Sequence, residues 1–268
     1  LNGRIGYINY LDAILAWQLV NELSKELDGM ACCASFKHNA PAGVGTSKPL
    51  SELLRKCYML KPDVKYSNAT IAYIRARNAD PMSSFGDFVA ISHTVDESLA
   101  LYLKTEVSDG IIAPDYTETA LEILKQKKKG NFIIVKGVYP TISSINVSYR
   151  EMFGVALSQE DGRVSCCQNI KAENVVTNHK ILYNNITSIN NDYLRDTKVA
   201  NITCKYTPSN SVVFAYDGQV IGVGSGQQNR VDCVKLAGRK AETWFLRQHP
   251  KTLALLDNFK SGMKRQSK

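Results

Sequence analysis

An α/β fold is what this sequence predicts, on three observations. Short apolar runs suited to buried strands alternate four times with helical apolar spacing before residue 140. Residues 10 to 28 show that spacing over their whole length, with apolar side chains at Leu11, Ile14, Leu15, Leu19, Val20, Leu23 and Leu27. Asp217-Gly218, between Val212–Tyr216 and Gln219–Val223, is the turn pair that suits a type I′ hairpin.

In chain order, Asn2-Gly3 is a turn, and Asp28-Gly29 ends the first helix. Residues 30 to 36 form an apolar run of strand length. It gives out at Lys37-His38-Asn39, and the Pro41 and Gly43 that follow are expected to turn the chain. Helices are expected over 49–60 and 67–77, separated by Pro62. The loop Asp80 to Asp87 leads into a strand at 88–91, helix 95–106 into a strand at 111–113, and helix 117–129 into a strand at 131–135. Lys125 to Lys129 suit the last turn of their helix, where cations complement the dipole and Gly130 ends it. From 139 to 176 the pattern loosens into short strand-like pieces at 145–149 and 154–157, and a boundary near 160 divides the chain into residues 1–160 and 161–268. A helix is expected over 188–204. Beyond the hairpin, Gly222, Gly224 and Gly226 precede a helix with Val231, Val234, Ala237, Ala241, Trp244 and Phe245 on one face. Glycines before a helix N-terminus with Arg230 in its first turn suit an anion, although glycines also serve close packing.

Composition narrows the function. The formal net charge of +8 favours anionic ligands, whether nucleic acid or phosphorylated and polycarboxylate metabolites. No RNA-recognition or helix-turn-helix signature supports nucleic acid, no apolar run reaches the length of a membrane span, and no charged-then-apolar leader is present. A cytosolic protein is expected. Its seven cysteines lack a C-x-x-C pair and read as reduced thiols. Nor is there a P-loop, a G-x-S-x-G elbow, an H-E-x-x-H helix, or H-x-E with P-C-x-x-C, so chemistry without a transition metal is expected. Leu1 opening the sequence in place of Met suggests a segment of a longer chain.

Among the residues that remain, Lys37 beside His38 at the end of a strand pairs a cation with a titratable base. Met82-Ser83-Ser84-Phe85-Gly86 sets apolar side chains around small polar ones and a glycine, where a planar ligand could approach the backbone.

Five motifs in register carry a resemblance: Phe36-Lys37-His38 with Pro41-Ala42-Gly43; Met82 to Phe88; Val107 to Pro114; Lys205-Tyr206-Thr207 with Ser209-Asn210-Ser211-Val212; and Gly226-Gln227-Gln228 with Arg230. In order and approximate spacing the chain resembles the transformylase domain of the bifunctional enzymes that couple 5-aminoimidazole-4-carboxamide ribonucleotide (AICAR) transformylase to IMP cyclohydrolase. The resemblance implies a cytidine-deaminase-like fold of two α/β halves without the deaminase zinc, the second half truncated here. It also implies a homodimer with a shared active site, and formyl transfer from 10-formyltetrahydrofolate to the 5-amino group of AICAR in purine synthesis.

That amine is a weak nucleophile, its lone pair delocalised into an imidazole bearing a carboxamide. By position, His38 would assist its deprotonation, Lys37 would stabilise charge and help protonate the departing folate nitrogen, and Asn210 would hold the formyl oxygen as it becomes anionic. Gly86 and Asp109 match ribonucleotide positions. Arg230, suited to anionic oxygen, joins them in substrate binding beside a folate wall of Met82, Phe85, Asn229 and Val231. Thr207, Ser209 and Ser211 match a segment that carries potassium in some members. The chain departs from the family at Asn229, where Ser is common, and just after Gly43. Relatives also extend beyond both ends with residues that complete the site, so an isolated segment is expected to be weakly active or inactive. The competing expectation is a truncated relative that binds purine nucleotide without turnover.

Overall fold

The computed structural model describes residues 1–138, 147–160, 191–259 and 263. The segment 161–190 beyond the boundary expected near 160, the Cys166-Cys167 pair and most of the basic tail lie outside the described residues.

The chain opens with α1 (Tyr7–Glu26), β1 (Cys32–Phe36) and β2 (Pro41–Thr46). Next come α2 (Glu52–Cys57), α3 (Asn68–Ala79), β3 (Asp87–Ile91), α4 (Glu97–Lys104), β4 (Ser108–Ala113), α5 (Glu118–Lys125) and β5 (Ile133–Lys136). A hairpin of β6 (Val147–Met152) and β7 (Val155–Glu160) follows as a separate two-stranded sheet. The rest is α6 (Asn191–Lys205), β8 (Val212–Tyr216), β9 (Gln219–Gly224), α7 (Arg230–Leu246) and the short α8 (Pro250–Ala254). Seven strands form one mixed sheet in the order β5-β4-β3-β1-β2-β9-β8. Only β3-β4 and β4-β5 run parallel. Strands from both sides of residue 160 therefore share this sheet, joined where Gly45 of β2 pairs with Gln219 of β9.

Helices cover both faces, which is why β1, β2 and β3 are buried along their whole length and why β1 and β3 are mostly apolar. One face packs Cys32, Ala34, Phe36, Phe88 and Ala90 against α1 and against Val199 and Ile202 of α6. The other packs Cys33, Val89, Ile91 and Ile111 against α3, α4 and α5. The period-2 alternation of one strand thus feeds two cores. Side-chain caps start most helices where the sequence offers them: Ser51, Ser67, Asp96, Thr117 and Asn229 each accept the backbone N–H three residues on.

β2 overturns one expectation. Pro41 and Gly43 do not turn the chain but lie inside a strand, and the turn falls at His38-Asn39. The glycines are there because α3 crosses β2 at close range: a Cβ at Gly43 would sit 2.0 Å from the Ala76 carbonyl oxygen, and one at Gly45 2.5 Å from the Arg75 Cβ. Neighbouring β9 repeats the device against α7, where Cβ atoms at Gly222 and Gly224 would lie 2.3 Å and 2.2 Å from the carbonyl oxygens of Ala237 and Cys233. Of the two readings of that glycine series, close packing explains Gly222 and Gly224. Gly43→Ala is accordingly expected to destabilise the protein by about 1–3 kcal/mol, as overpacking does, and to lower its urea midpoint at constant m-value.

Other departures are local. The buried stripe of α1 runs through Asp12, Ala13, Ala16, Trp17, Leu19, Val20 and Leu23, leaving Ile14 exposed. On α7, Cys233, Ala237 and Trp244 are buried, whereas Val231, Val234 and Phe245 are exposed. Helix α5 stops at Lys125, and Lys128 and Lys129 adopt positive φ in a 3-10 turn before Gly130. The Asp217-Gly218 turn forms as expected, with φ of 54° and 77°.

Candidate functional site

The sheet ends in a polar cluster where β1 and β9 finish and β2, β3 and β4 begin, so the site lies at the carboxyl end of only some of its strands. Lys37 and His38 reach it on the β1–β2 hairpin. The hairpin is closed by Lys37 N–H to the Ala40 carbonyl at 2.9 Å, leaving His38 and Asn39 as a two-residue turn with φ of 41° and 63°. Both values lie in the left-handed region, which is cheap for Asn and costs about 1–2 kcal/mol for a residue such as His. Asp12 of α1 offsets that cost. Its buried carboxylate accepts the backbone N–H of Asn39 at 2.6 Å and that of His38 at 3.3 Å. Burial pushes the Asp12 carboxyl up from its ordinary value, against the pull of those two N–H groups and of the His38 ring, and Asp109 nearby adds to the rise.

Lys37 is aimed by the second loop. Its Nζ donates to the Phe85 carbonyl oxygen at 2.5 Å and lies 3.8 Å from where a Cβ on Gly86 would project. With φ of 76°, Gly86 is also the residue type its backbone requires. The loop is pinned from inside the protein. Arg77 of α3, buried, donates to the Ser84 carbonyl at 2.6 Å, to Asp87 at 3.1 Å and to Glu106 at 2.8 Å. Ser35 Oγ donates to the second Asp87 oxygen at 2.6 Å and lies 2.9 Å from Ser84 Oγ. Ser84 and Asp87 of the Met82 to Phe88 motif are therefore buried fasteners, while Met82 and Phe85 are 89% and 50% exposed.

A cavity of about 380 Å³ opens beside the hairpin, lined by Lys37, His38, Pro41, Ser83, Ser225 and Lys240 among others. Three of these side chains are basic or titratable toward a cation, which suits an anionic or electron-rich ligand. Lys240 is held by Asp80 at 2.9 Å, and Asp80 also accepts the Ser83 hydroxyl at 2.6 Å. Burial works to raise the Asp80 carboxyl, but the Ser83 hydroxyl and Lys240 outweigh it and hold it below its ordinary 3.8. A depressed folded value means the contribution to stability is complete above 3.8 and is lost as pH falls below it. Asp80→Asn is expected to flatten the acid limb of the stability profile in that window, measured by urea midpoints between pH 2.5 and pH 5, roughly.

The structure brings Lys37, His38, Phe85 and Gly86 together. Asp109 stands at the start of β4 at the same end of the sheet, paired with Lys128. Asn210 does not line the cavity; its side-chain amide donates to the Gln227 carbonyl at 2.9 Å, and its own carbonyl accepts from the Cys233 thiol at 3.1 Å. Asn229 caps α7 by accepting the Asp232 N–H at 2.9 Å, and Arg230 and Val231 stand exposed in the first turn. None of these three, nor Met82, lines the cavity. Thr207 is buried, with its hydroxyl donating to the Thr203 carbonyl at 2.7 Å, and Ser211 Oγ lies 3.4 Å from the Cys204 thiol. Ser209 is exposed. Among the described residues no three His, Cys, Asp or Glu side chains gather in a way that could hold a metal ion.

Sequence reasoning missed Asp12, Arg77, Glu106 and Lys240. The available signal was at Asp12, a carboxylate in line with the buried Ala16, Leu19 and Leu23 of α1.

Fold and cavity together define an α/β protein with a cation-lined ligand site at one end of a mixed sheet. More particularly, the chain belongs to the AICARFT/IMPCHase bienzyme family, whose sequence model matches residues 1–240. It is 31% identical over 243 residues to the bifunctional purine biosynthesis protein PurH of Aquifex aeolicus, covering 90% of this chain and 40% of that protein. It is 30% identical over 232 residues to PurH of Clostridium kluyveri, covering 86% and 38%, and 31% identical over 232 residues to PurH of Clostridium botulinum, with the same coverage. The chain thus spans about two fifths of the length of these curated relatives.

Proposed function

We propose that this chain carries the formyl-transfer site of an AICAR transformylase, moving the formyl group of 10-formyltetrahydrofolate to the 5-amino group of AICAR in purine synthesis. The observation that carries this is the Lys37-His38 turn, which sets an ammonium and an imidazole side by side on the wall of one cavity. The ammonium is fixed by the Phe85 carbonyl. In this reading His38 accepts the proton that leaves the amine, by way of the neighbouring carboxamide. Lys37 stabilises the charge of the tetrahedral intermediate and delivers a proton to the departing folate nitrogen. Asn210 supplies the amide that holds the formyl oxygen, which requires it to turn from Gln227 when substrate enters.

Gly86, Asp109 and Arg230 hold the ribonucleotide, Asp109 exchanging Lys128 for a sugar hydroxyl. Folate packs on the exposed Met82 and Phe85 and against Asn229 and Val231. Potassium, where used, would be held by the neutral oxygens of Thr207, Ser209 and Ser211. The buried Thr203 hydroxyl, which has no partner among the described residues and whose residue's carbonyl accepts from Thr207, supports that assignment. The active unit is a homodimer, a reading supported by the exposed Val231, Val234, Phe245 and Leu246 along α7 and the fully exposed Phe153 at the β6–β7 tip. The compartment is the cytosol, for which the free thiols of Cys32, Cys33, Cys57, Cys204 and Cys233 are the support.

Titration calorimetry tests the binding half of the proposal. AICAR and 10-formyltetrahydrofolate are each expected to give a saturable heat with the native polypeptide. Gly86→Val should weaken AICAR by tenfold or more, roughly, by driving a side chain toward Lys37 at a positive φ. No heat from either ligand would overturn the reading.

A further inference from the structure

We infer that Asp12 is a positioning residue for the reaction: by binding the two backbone N–H groups of the turn it holds the His38 imidazole where the amine must be deprotonated. The inference rests on the transformylase reading above. Its ground is the geometry of the turn. Two consecutive non-glycine residues, His38 and Asn39, stand in the left-handed region at φ of 41° and 63°. Such a conformation persists only where the surroundings over-determine it. The surroundings here are the β1–β2 ladder on two sides and, from below, one carboxylate whose oxygens lie 2.6 Å from the Asn39 nitrogen and 3.3 Å and 3.4 Å from the His38 nitrogen.

No other hydrogen bond among the described residues ties these two N–H groups. Asp12 lies on α1, 26 residues before His38, on the buried stripe that grips the sheet through Ala16, Leu19 and Leu23. The carboxylate is therefore as rigid as the core, and the turn inherits that rigidity. A turn released from it can relax toward φ below zero. This would swing the imidazole off the reacting amine, and misplacement by about 1 Å costs catalysis about 10²-fold.

The test compares Asp12→Ala, Asp12→Asn and Asn39→Gly, alone and combined, in the native polypeptide. Asp12→Ala is expected to lower kcat about 10²-fold with KM for AICAR changed little, because the ribonucleotide is held elsewhere. Asp12→Asn, which keeps one acceptor, should lose less. Adding Asn39→Gly to Asp12→Ala should recover about tenfold, since glycine adopts the turn without help, while Asn39→Gly alone should leave kcat near that of the parent. In a His38→Ala background Asp12→Ala should add almost nothing, the signature of two residues acting as one.

Hydrogen exchange at the His38 and Asn39 amides gives a readout independent of turnover: both should exchange at least tenfold faster in Asp12→Ala and, to a smaller degree, in Asp12→Asn. Parent-like kcat, unchanged amide protection, or an undiminished effect of Asp12→Ala without His38 would overturn the inference. If Asp12→Ala does not fold, the Asp12→Asn kcat and amide rates decide it by the same criteria. Loss of formyl transfer in the parent itself would sink the transformylase reading, and the amide rates would still decide whether Asp12 holds the turn.

Discussion

Arg77→Met is expected to remove about 3–5 kcal/mol of stability, the range in which breaking a buried ion pair from one side falls. The reason is what the substitution leaves behind. Asp87 and Glu106 stay in the interior without the guanidinium that bridges them, and the Ser84 carbonyl loses its shorter bond and is left with the Asp87 N–H at 3.3 Å. Methionine fills the volume and satisfies none of them. Arg77→Lys should recover only part, because one ammonium cannot span Glu106, Asp87 and Ser84 in the fork geometry that the guanidinium supplies. Urea unfolding followed by circular dichroism checks both variants. A second consequence reaches the site: Phe85 follows Ser84, so a loosened Ser84 frees the carbonyl that fixes Lys37. An Arg77→Met protein within about 1 kcal/mol of the parent would show that the triad is not the fastener described here.

The second large effect is Lys37→Met, expected to lower kcat for formyl transfer by about 10²–10⁴-fold with folded stability almost unchanged. The stability side follows from the contacts. Lys37 Nζ makes one bond to a backbone carbonyl at an open position, and the cavity offers water in its place. The kinetic side follows from the proposed chemistry, in which an ammonium stabilises charge present only during transfer, so kcat falls and ligand affinity does not. Stopped assays with AICAR and 10-formyltetrahydrofolate, beside calorimetric binding of each, separate the two. Equal loss in binding and in kcat would assign Lys37 to ground-state binding.

The alternation of α1 through β5 was legible because strands buried on both faces read as apolar runs and the intervening helices carry their own caps. β2 was not legible. Pro-Ala-Gly-Val-Gly-Thr opens on a proline and carries two glycines, residues depleted in strands, and its glycines answer to α3, a helix some thirty residues further on whose approach no local pattern announces. The same blindness hid the true turn. His38-Asn39 contains the Asn that favours a left-handed position, but Pro41 and Gly43 were the louder turn residues.

Lys37 and His38 themselves stood out as polar side chains closing an apolar strand, whereas Asp12, Arg77 and Glu106 are charged residues whose burial is decided by partners distant in sequence. On α3, nothing local marks Arg75 or Arg77 for burial. In the fold Arg75 is buried and donates to Lys48, Pro49, Asp217 and Gln219, tying α3 to the β8–β9 hairpin. The exposed valines at the start of α7 fail for the opposite reason, since periodicity records an apolar face and not what covers it.

The most direct test is to follow tetrahydrofolate formation by absorbance when the native polypeptide meets AICAR and 10-formyltetrahydrofolate, with His38→Ala and Lys37→Met measured beside it. Turnover in the parent, lowered about 10²–10⁴-fold by either substitution while AICAR binding persists, is the predicted result. A parent that binds AICAR and forms no tetrahydrofolate, or one whose turnover survives loss of His38, would contradict the assignment of formyl transfer to this turn.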